Sequence, residues 1–210
     1  MRTEILAPQY AVALLDRQKA LQYQAAAVLH DLNLLAELSQ VGTPQQIGSC
    51  ASGLMVWRDI DCNVVSPCLS IHDAFETVRR LATHPRISKV RYMNEGGRFN
   101  PTGEPRDERY YFALFYAPDE GEEWKIDISF WLNDLPRSEI EDLQNMQKQL
   151  TPESRLTILW LKDVWHRLPE YRTHVCSMDI YDAVLKHKVR SPAGFDQYLA
   201  ERGKPTRQLS

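Results

Sequence analysis

Two aspartates, Asp59 and Asp61, stand one residue apart in the run RDIDCNVV. A Gly-Ser pair, Gly48 and Ser49, precedes them, with nine residues between Ser49 and Asp59. Like charges this close repel by about 1 kcal/mol at 4 Å in water and about 4 kcal/mol near a protein surface, so holding them together calls for compensation. Strand side chains alternate between faces. In RDIDCNV that alternation gives Asp59, Asp61 and Asn63 one face and Ile60, Cys62 and Val64 the other. The later run WKIDISFW repeats the pattern, with Trp124, Ile126, Ile128 and Phe130 on an apolar face and Lys125, Asp127 and Ser129 opposite. If the two strands are neighbours, Asp59, Asp61 and Asp127 converge.

Three converging carboxylates without a matching basic cluster suit a hard divalent cation. Mg2+ takes oxygen ligands and is commonly held by one or two carboxylates together with substrate phosphates. Two such ions can clamp the attacking and leaving oxygens of a phosphoryl displacement. The expected metal ligands are therefore Asp59, Asp61 and Asp127, with Asp127 also positioning or deprotonating the attacking hydroxyl. Gly48 lets the backbone approach a ligand closely and Ser49 offers a hydroxyl. Successive N–H groups at such a turn can cradle phosphate oxygens. Ser52 is a candidate second phosphate contact, and Lys125, on the face of Asp127, either neutralises phosphate or pairs with an acid.

These groups need a sheet to carry them. Residues 10–40 read as one helix, with Leu21, Ala25, Val28, Leu32, Leu35 and Leu38 drawing an apolar stripe that Gly42, Thr43 and Pro44 bring to a stop. A short strand is expected at Gln46 and Ile47, and another over Asp59–Val65. Ser70 caps a helix to Thr83, with Asp73 three residues on. KVRYM, RYYFALFYA and EEWKIDISFWL read as strands, the last two joined across the tight-turn composition PDEGE as an antiparallel hairpin. The polar run from Asn94 to Glu108, with Gly96, Gly97, Gly103, Pro101 and Pro105, is expected to be a long mobile loop. After Leu132 four helical segments follow. Thr151-Pro152 and Ser191-Pro192 mark two helix starts, and Gly203 a stop. The reading is an α+β fold: a mixed β-sheet flanked by helices over residues 1–134, then a helical region over 135–210.

Composition sets the bounds. The 210 residues carry a formal net charge of -3 and are 43% hydrophobic, as in an ordinary globular chain. No basic field advertises nucleic acid. No run approaches the roughly 20 apolar residues that cross a bilayer, and the N-terminus does not read as a signal peptide, so the expected location is the cytoplasm. Cys50, Cys62, Cys68 and Cys176 form no CxxC pair and are expected to be buried or half-buried thiols. No Walker or dinucleotide-binding glycine motif occurs.

IGSCASGLMVWRDIDC resembles the signature of the polymerase-beta-like nucleotidyltransferase superfamily. There a hydrophobic residue, Gly, and Gly or Ser precede a spaced Asp-hydrophobic-Asp/Glu-hydrophobic motif. The third acid of that family, on a later strand, is matched by Asp127. Arg58 stands where many relatives have Ser, and CASGLM is neutral where many are basic. The resemblance implies a nucleotidyltransferase-like sheet, often followed by a helical domain, over about residues 20–132. It also implies transfer of a nucleoside monophosphate from a triphosphate, ATP being the first expectation, to a hydroxyl. In that scheme Gly48 and Ser49 hold the β- and γ-phosphates. Size and mild acidity resemble the transferases that act on small molecules, including those that adenylylate antibiotics. The alternatives are a protein or RNA acceptor, or a catalytically silent nucleotide-binding or interaction protein on the same scaffold.

Overall fold

The computed structural model describes residues 4–207, the side chains of residues 138–140 apart. Two compact units emerge: one is Leu21–Leu143, and the other joins the residues up to Ala20 with those from Gln144 on.

The first unit is built on a five-stranded mixed sheet. Its strands are β1 (Thr43–Ile47), β2 (Asp59–Val65), β3 (Ile87–Glu95), β4 (Arg109–Tyr116) and β5 (Trp124–Trp131), in the order β1-β2-β5-β4-β3. Only β2 and β5 run parallel; every other pair is antiparallel. This is the expected α+β arrangement, and β2 coincides with the strand read from its alternation. β1 starts earlier than expected and includes Pro44, which an edge strand tolerates.

The helices are α1 (Pro8–Asp31), α2 (Leu34–Ser39), the single turn α3 (Gly48–Ser52) and α4 (Ile71–Ala82). The expected long N-terminal helix is interrupted. Asn33 adopts the left-handed conformation, φ 46°, which Asn accepts more readily than most residues, and α2 starts afresh after it. Ser70 caps α4, its hydroxyl accepting from the Asp73 N–H at 3.1 Å. Ile60, Cys62, Val64, Phe112, Leu114, Ile126, Ile128 and Phe130 line the inner face of the sheet. They form one core with Leu21, Ala25 and Val28 of α1, Leu34 and Leu38 of α2, and Ala74, Val78 and Leu81 of α4. Burying each large apolar side chain contributes about 1.5–3 kcal/mol, which fixes which face of each strand turns inward. The acids are left on the other face.

The β4–β5 connection is longer than the expected tight turn and runs from Ala117 to Glu123. It is tied back by Ser88 Oγ donating to Glu123 at 2.6 Å and by the Ala117 N–H donating to the Arg86 carbonyl at 2.7 Å. The polar loop between β3 and β4 contains two 3-10 turns, Gly97–Phe99 and Pro105–Asp107. Thr102 Oγ1 donates to Asp107 there at 2.8 Å.

The second unit is helical, with α6 (Pro152–Trp165), α7 (Ser177–Leu185) and α8 (Pro192–Ala200); α5 (Ser138–Gln149) spans the boundary in sequence. Thr151 and Ser191 cap α6 and α8 as their Thr-Pro and Ser-Pro pairs predict. Trp165 and Phe195 meet edge to face at 5.4 Å in its core. Tyr10, Arg17 and Arg167 surround the buried Asp163 carboxylate. Among the described residues no helix is long and apolar enough to cross a membrane. Cys50 and Cys62 are buried, whereas Cys68 and Cys176 are exposed, contrary to the expectation for all four.

Candidate metal and nucleotide site

The register of the parallel pair sets the acids side by side: Asp61 lies opposite Asp127, and Asp59 opposite Lys125. Asp59, Asp61 and Asp127 each present a carboxylate oxygen within 4.8 Å of the others, all three half-buried. Each is held from a different side. Asp59 Oδ2 accepts from Trp57 Nε1 at 3.2 Å. Asp127 accepts at both oxygens, from Tyr111 Oη at 2.7 Å and from Lys125 Nζ at 2.5 Å. Asp61 is approached by backbone: Gly48 has φ +70°, and a β-carbon there would stand 2.3 Å from Asp61 Oδ2. A side chain on Gly48 would fill the space beside that oxygen.

The electrostatics follow from these contacts. Burial pushes the Lys125 ammonium towards neutrality, but the hydrogen bond and charge of Asp127 outweigh it and its pKa ends raised. Burial raises Tyr111 as well, with its hydrogen bond to Asp127 acting in the same direction, to about 12, so it is a donor at neutral pH. The Lys125 ammonium pairs with Asp127 inside this cluster of three carboxylates. A donor set of three carboxylates within 4.8 Å of one another fits a divalent hard cation such as Mg2+. Cys62 turns to the other face of β2, into the core, and burial raises Cys50 to about 11 and Cys62 to about 12.

The other sequence candidates fall as follows. Gly48 and Ser49 open α3 directly after β1, where Ile47 pairs with Asp61. The first N–H groups of a helix have no acceptor within it. Ser49 is buried, and its carbonyl accepts from the Leu54 N–H at 3.0 Å. Ser52, named above as a second phosphate contact, closes α3, and its hydroxyl donates to the Gly48 carbonyl at 3.0 Å. That contact braces the Gly48 turn. Lys125 sits on the acids. Arg58 pairs with Glu122 at 2.6 Å, and Arg109, the first residue of β4, pairs with Glu95 at 2.5 Å.

Trp57 and Tyr111 are the contacts that sequence reasoning missed. Trp57 stands two residues ahead of Asp59, a same-face spacing that could have flagged it. Tyr111 needed the β4–β5 register, which pairs Ala113 with Asp127 and sets Tyr111 on the diagonal.

The sequence matches no protein-family model and no curated protein sequence. Solved structures do match. A cytoplasmic RNA terminal U-transferase is 16% identical, with 85% of this chain and 50% of that one covered and a TM-score of 0.57. The Cid1 poly(U) polymerase with MgGTP bound is 16% identical, with 86% and 56% covered and a TM-score of 0.60. Cid1 in complex with its short product ApU is 17% identical, with 85% and 53% covered and a TM-score of 0.57. The chain spans about half the length of these proteins. The likeness establishes the fold: the mixed sheet between helices is the nucleotidyltransferase architecture that the Gly-Ser and Asp-x-Asp motif implied.

Proposed function

We propose that this chain is a Mg2+-dependent nucleotidyltransferase that moves a nucleoside monophosphate from a nucleoside triphosphate to a hydroxyl and releases pyrophosphate. The observation that carries the reading is the meeting of Asp59, Asp61 and Asp127 on adjacent parallel strands beside the Gly48 turn. The three aspartates would hold Mg2+, which when bound supplies charge neutralisation of the phosphates and of the oxygens that exchange at phosphorus. The oxygen of the acceptor hydroxyl attacks the α-phosphorus, the bond from that phosphorus to the β-phosphate oxygen breaks, and pyrophosphate leaves with the electron pair. The hydroxyl proton passes to the Asp127 carboxylate, which Tyr111 and Lys125 hold in place. Gly48 and Ser49 bear the β- and γ-phosphates, through backbone N–H groups and the Ser49 hydroxyl. Most of the rate then comes from positioning and from charge arranged in advance.

For the acceptor, the terminal hydroxyl of an RNA is favoured over a small molecule. The support is that structures of the same fold include RNA terminal uridylyl transferases, one of them with a dinucleotide product. A small-molecule acceptor is the second reading, favoured by the net charge of -3. A cytoplasmic location belongs to the same proposal.

The test is incubation of the purified chain and Mg2+ with each labelled ribonucleoside triphosphate and either an RNA oligonucleotide or a panel of small hydroxyl compounds. Pyrophosphate release with label on RNA is expected. Label on a small compound alone would replace RNA by the second reading. Triphosphate binding without pyrophosphate release under any acceptor would make the chain a silent binder.

A further inference from the structure

The face of the sheet that carries the acids continues across β4 to the edge strand β3, and its register is explicit. Asp61, Asp127, Ala113 and Arg91 form one rung across four strands, and Asp59, Lys125, Phe115 and Lys89 form the next. Lys89 and Arg91 therefore share the face of the three aspartates. Strands are about 4.8 Å apart, so the Arg91 backbone lies roughly 10 Å from that of Asp127, with only the methyl group of Ala113 between them on the rung. Lys89 Nζ stands 3.7 Å from the centroid of the Phe115 ring, and the Arg91 guanidinium 5.2 Å from it. Both cations are exposed. Among the described residues neither forms an ion pair, whereas Arg86 and Arg109, on the same strands or beside them, are each tied to a carboxylate.

We propose that Lys89 and Arg91, braced on Phe115, bind the phosphate backbone of a single-stranded RNA whose 3′ end lies at Asp59, Asp61 and Asp127. This rests on the RNA reading of the acceptor and deepens it. Proteins that hold single strands combine basic residues that track the backbone with aromatic side chains. Here the ring is 9% exposed and covered by the two cations, so it serves as their support and not as a platform for a base. Cation–π attraction holds the two stems against a fixed ring, which lowers the ordering cost of each phosphate contact. Contacts of this kind do not read base identity, so oligo(A) and oligo(U) are expected to bind alike. A small acceptor bound at the aspartates would not extend across β4 to reach them.

The experiment measures binding of a fluorescent RNA oligonucleotide as a function of salt for the unmodified chain and for Lys89→Ala/Arg91→Ala, with label transfer to the same oligonucleotide followed in the unmodified chain. Both residues are exposed, so the variant should fold, and circular dichroism checks that it does. Each phosphate contact contributes about 0.7 to the slope of log affinity against log salt for a single strand. The double variant should therefore lose about 1.4 of slope, and Lys89→Glu/Arg91→Glu should bind more weakly still. If the unmodified chain extends RNA while the variants keep its affinity and slope, the strip is not the track and the RNA reading stands. If the unmodified chain neither binds nor extends RNA, the acceptor reading itself fails and takes this proposal with it.

Discussion

Gly48 and Asp61 are packed backbone against carboxylate: no β-carbon fits on Gly48 without displacing Asp61 Oδ2, 2.3 Å from where it would stand. The pairing of Ile47 with Asp61 makes the contact unavoidable, because the chain turns into α3 at the next residue. Gly48→Ala carries two penalties. A non-glycine residue at φ +70° costs about 1–2 kcal/mol, and Asp61 must move. A displacement of about 1 Å at a reacting site can cost about 100-fold in rate. Thermal denaturation of the variant should therefore show a melting point lower by a few degrees, and transfer assays a loss of about 100-fold or more. A variant with unchanged turnover would mean that the close approach has no part in the chemistry.

Asp61→Asn separates charge from shape. The side chain keeps its volume while one of three neighbouring carboxylate charges disappears. Stabilisation by a bound ion grows as RT ln(1 + [L]/Kd), about 2.7 kcal/mol at one hundred times Kd. The parent should gain melting temperature on addition of Mg2+, and the variant should lose that gain together with turnover. Retention of the Mg2+ shift in Asp61→Asn would remove this aspartate from the proposed ligand set.

Strand period and burial made much of this arrangement legible in the sequence. Ile60, Cys62 and Val64 in β2 and Ile126, Ile128 and Phe130 in β5 had to face a core, so Asp59, Asp61 and Asp127 had to face away from it. What the sequence did not carry is register and break points. Tyr111 reaches Asp127 diagonally because β4 pairs it with Ser129, two residues along β5 from Asp127, and no local pattern encodes that register. The helix break at Asn33 is a single left-handed residue inside an uninterrupted apolar stripe. The exposure of Cys68 and Cys176 depends on which surfaces the tertiary fold leaves uncovered, about which their sequence neighbours say little.

The helical unit should have an alkaline limit set by two tyrosines. Burial, followed by the hydrogen bond to Asp163, holds Tyr10 at about 12; burial, followed by the hydrogen bond to Asp182, holds Tyr198 at about 12. Both values lie above the unfolded value of about 10. Their stabilising effect is thus complete below pH 10 and is lost as pH rises from 10 to 12. Tyr10→Phe removes one hydrogen bond, worth about 1 kcal/mol, while Arg17 and Arg167 still face Asp163. Its melting temperature should be lower at pH 8 and should converge on that of the parent towards pH 12. Parallel curves across that range would show that Tyr10 does not titrate as assigned.

Lys125 is the built-in counter-charge of the acid cluster, and its removal should move two measurements in opposite directions. With its ammonium on Asp127 Oδ2, it offsets part of the repulsion among three carboxylates whose oxygens lie within 4.8 Å of one another. The pair is partly exposed, with side-chain exposures of 29% and 17%, so the Coulombic gain is screened and a loss of about 1 kcal/mol is expected in Lys125→Met without metal. The same substitution frees an Asp127 oxygen and raises the net negative charge of the cluster by one, which favours a divalent cation. The metal-free melting temperature should therefore fall while Mn2+, used as a paramagnetic substitute for Mg2+, binds more tightly by titration. Equal weakening of both would mean that Lys125 acts only as a structural prop for β5. A raised affinity with reduced transfer would give it a second part, holding Asp127 in position for the acceptor hydroxyl.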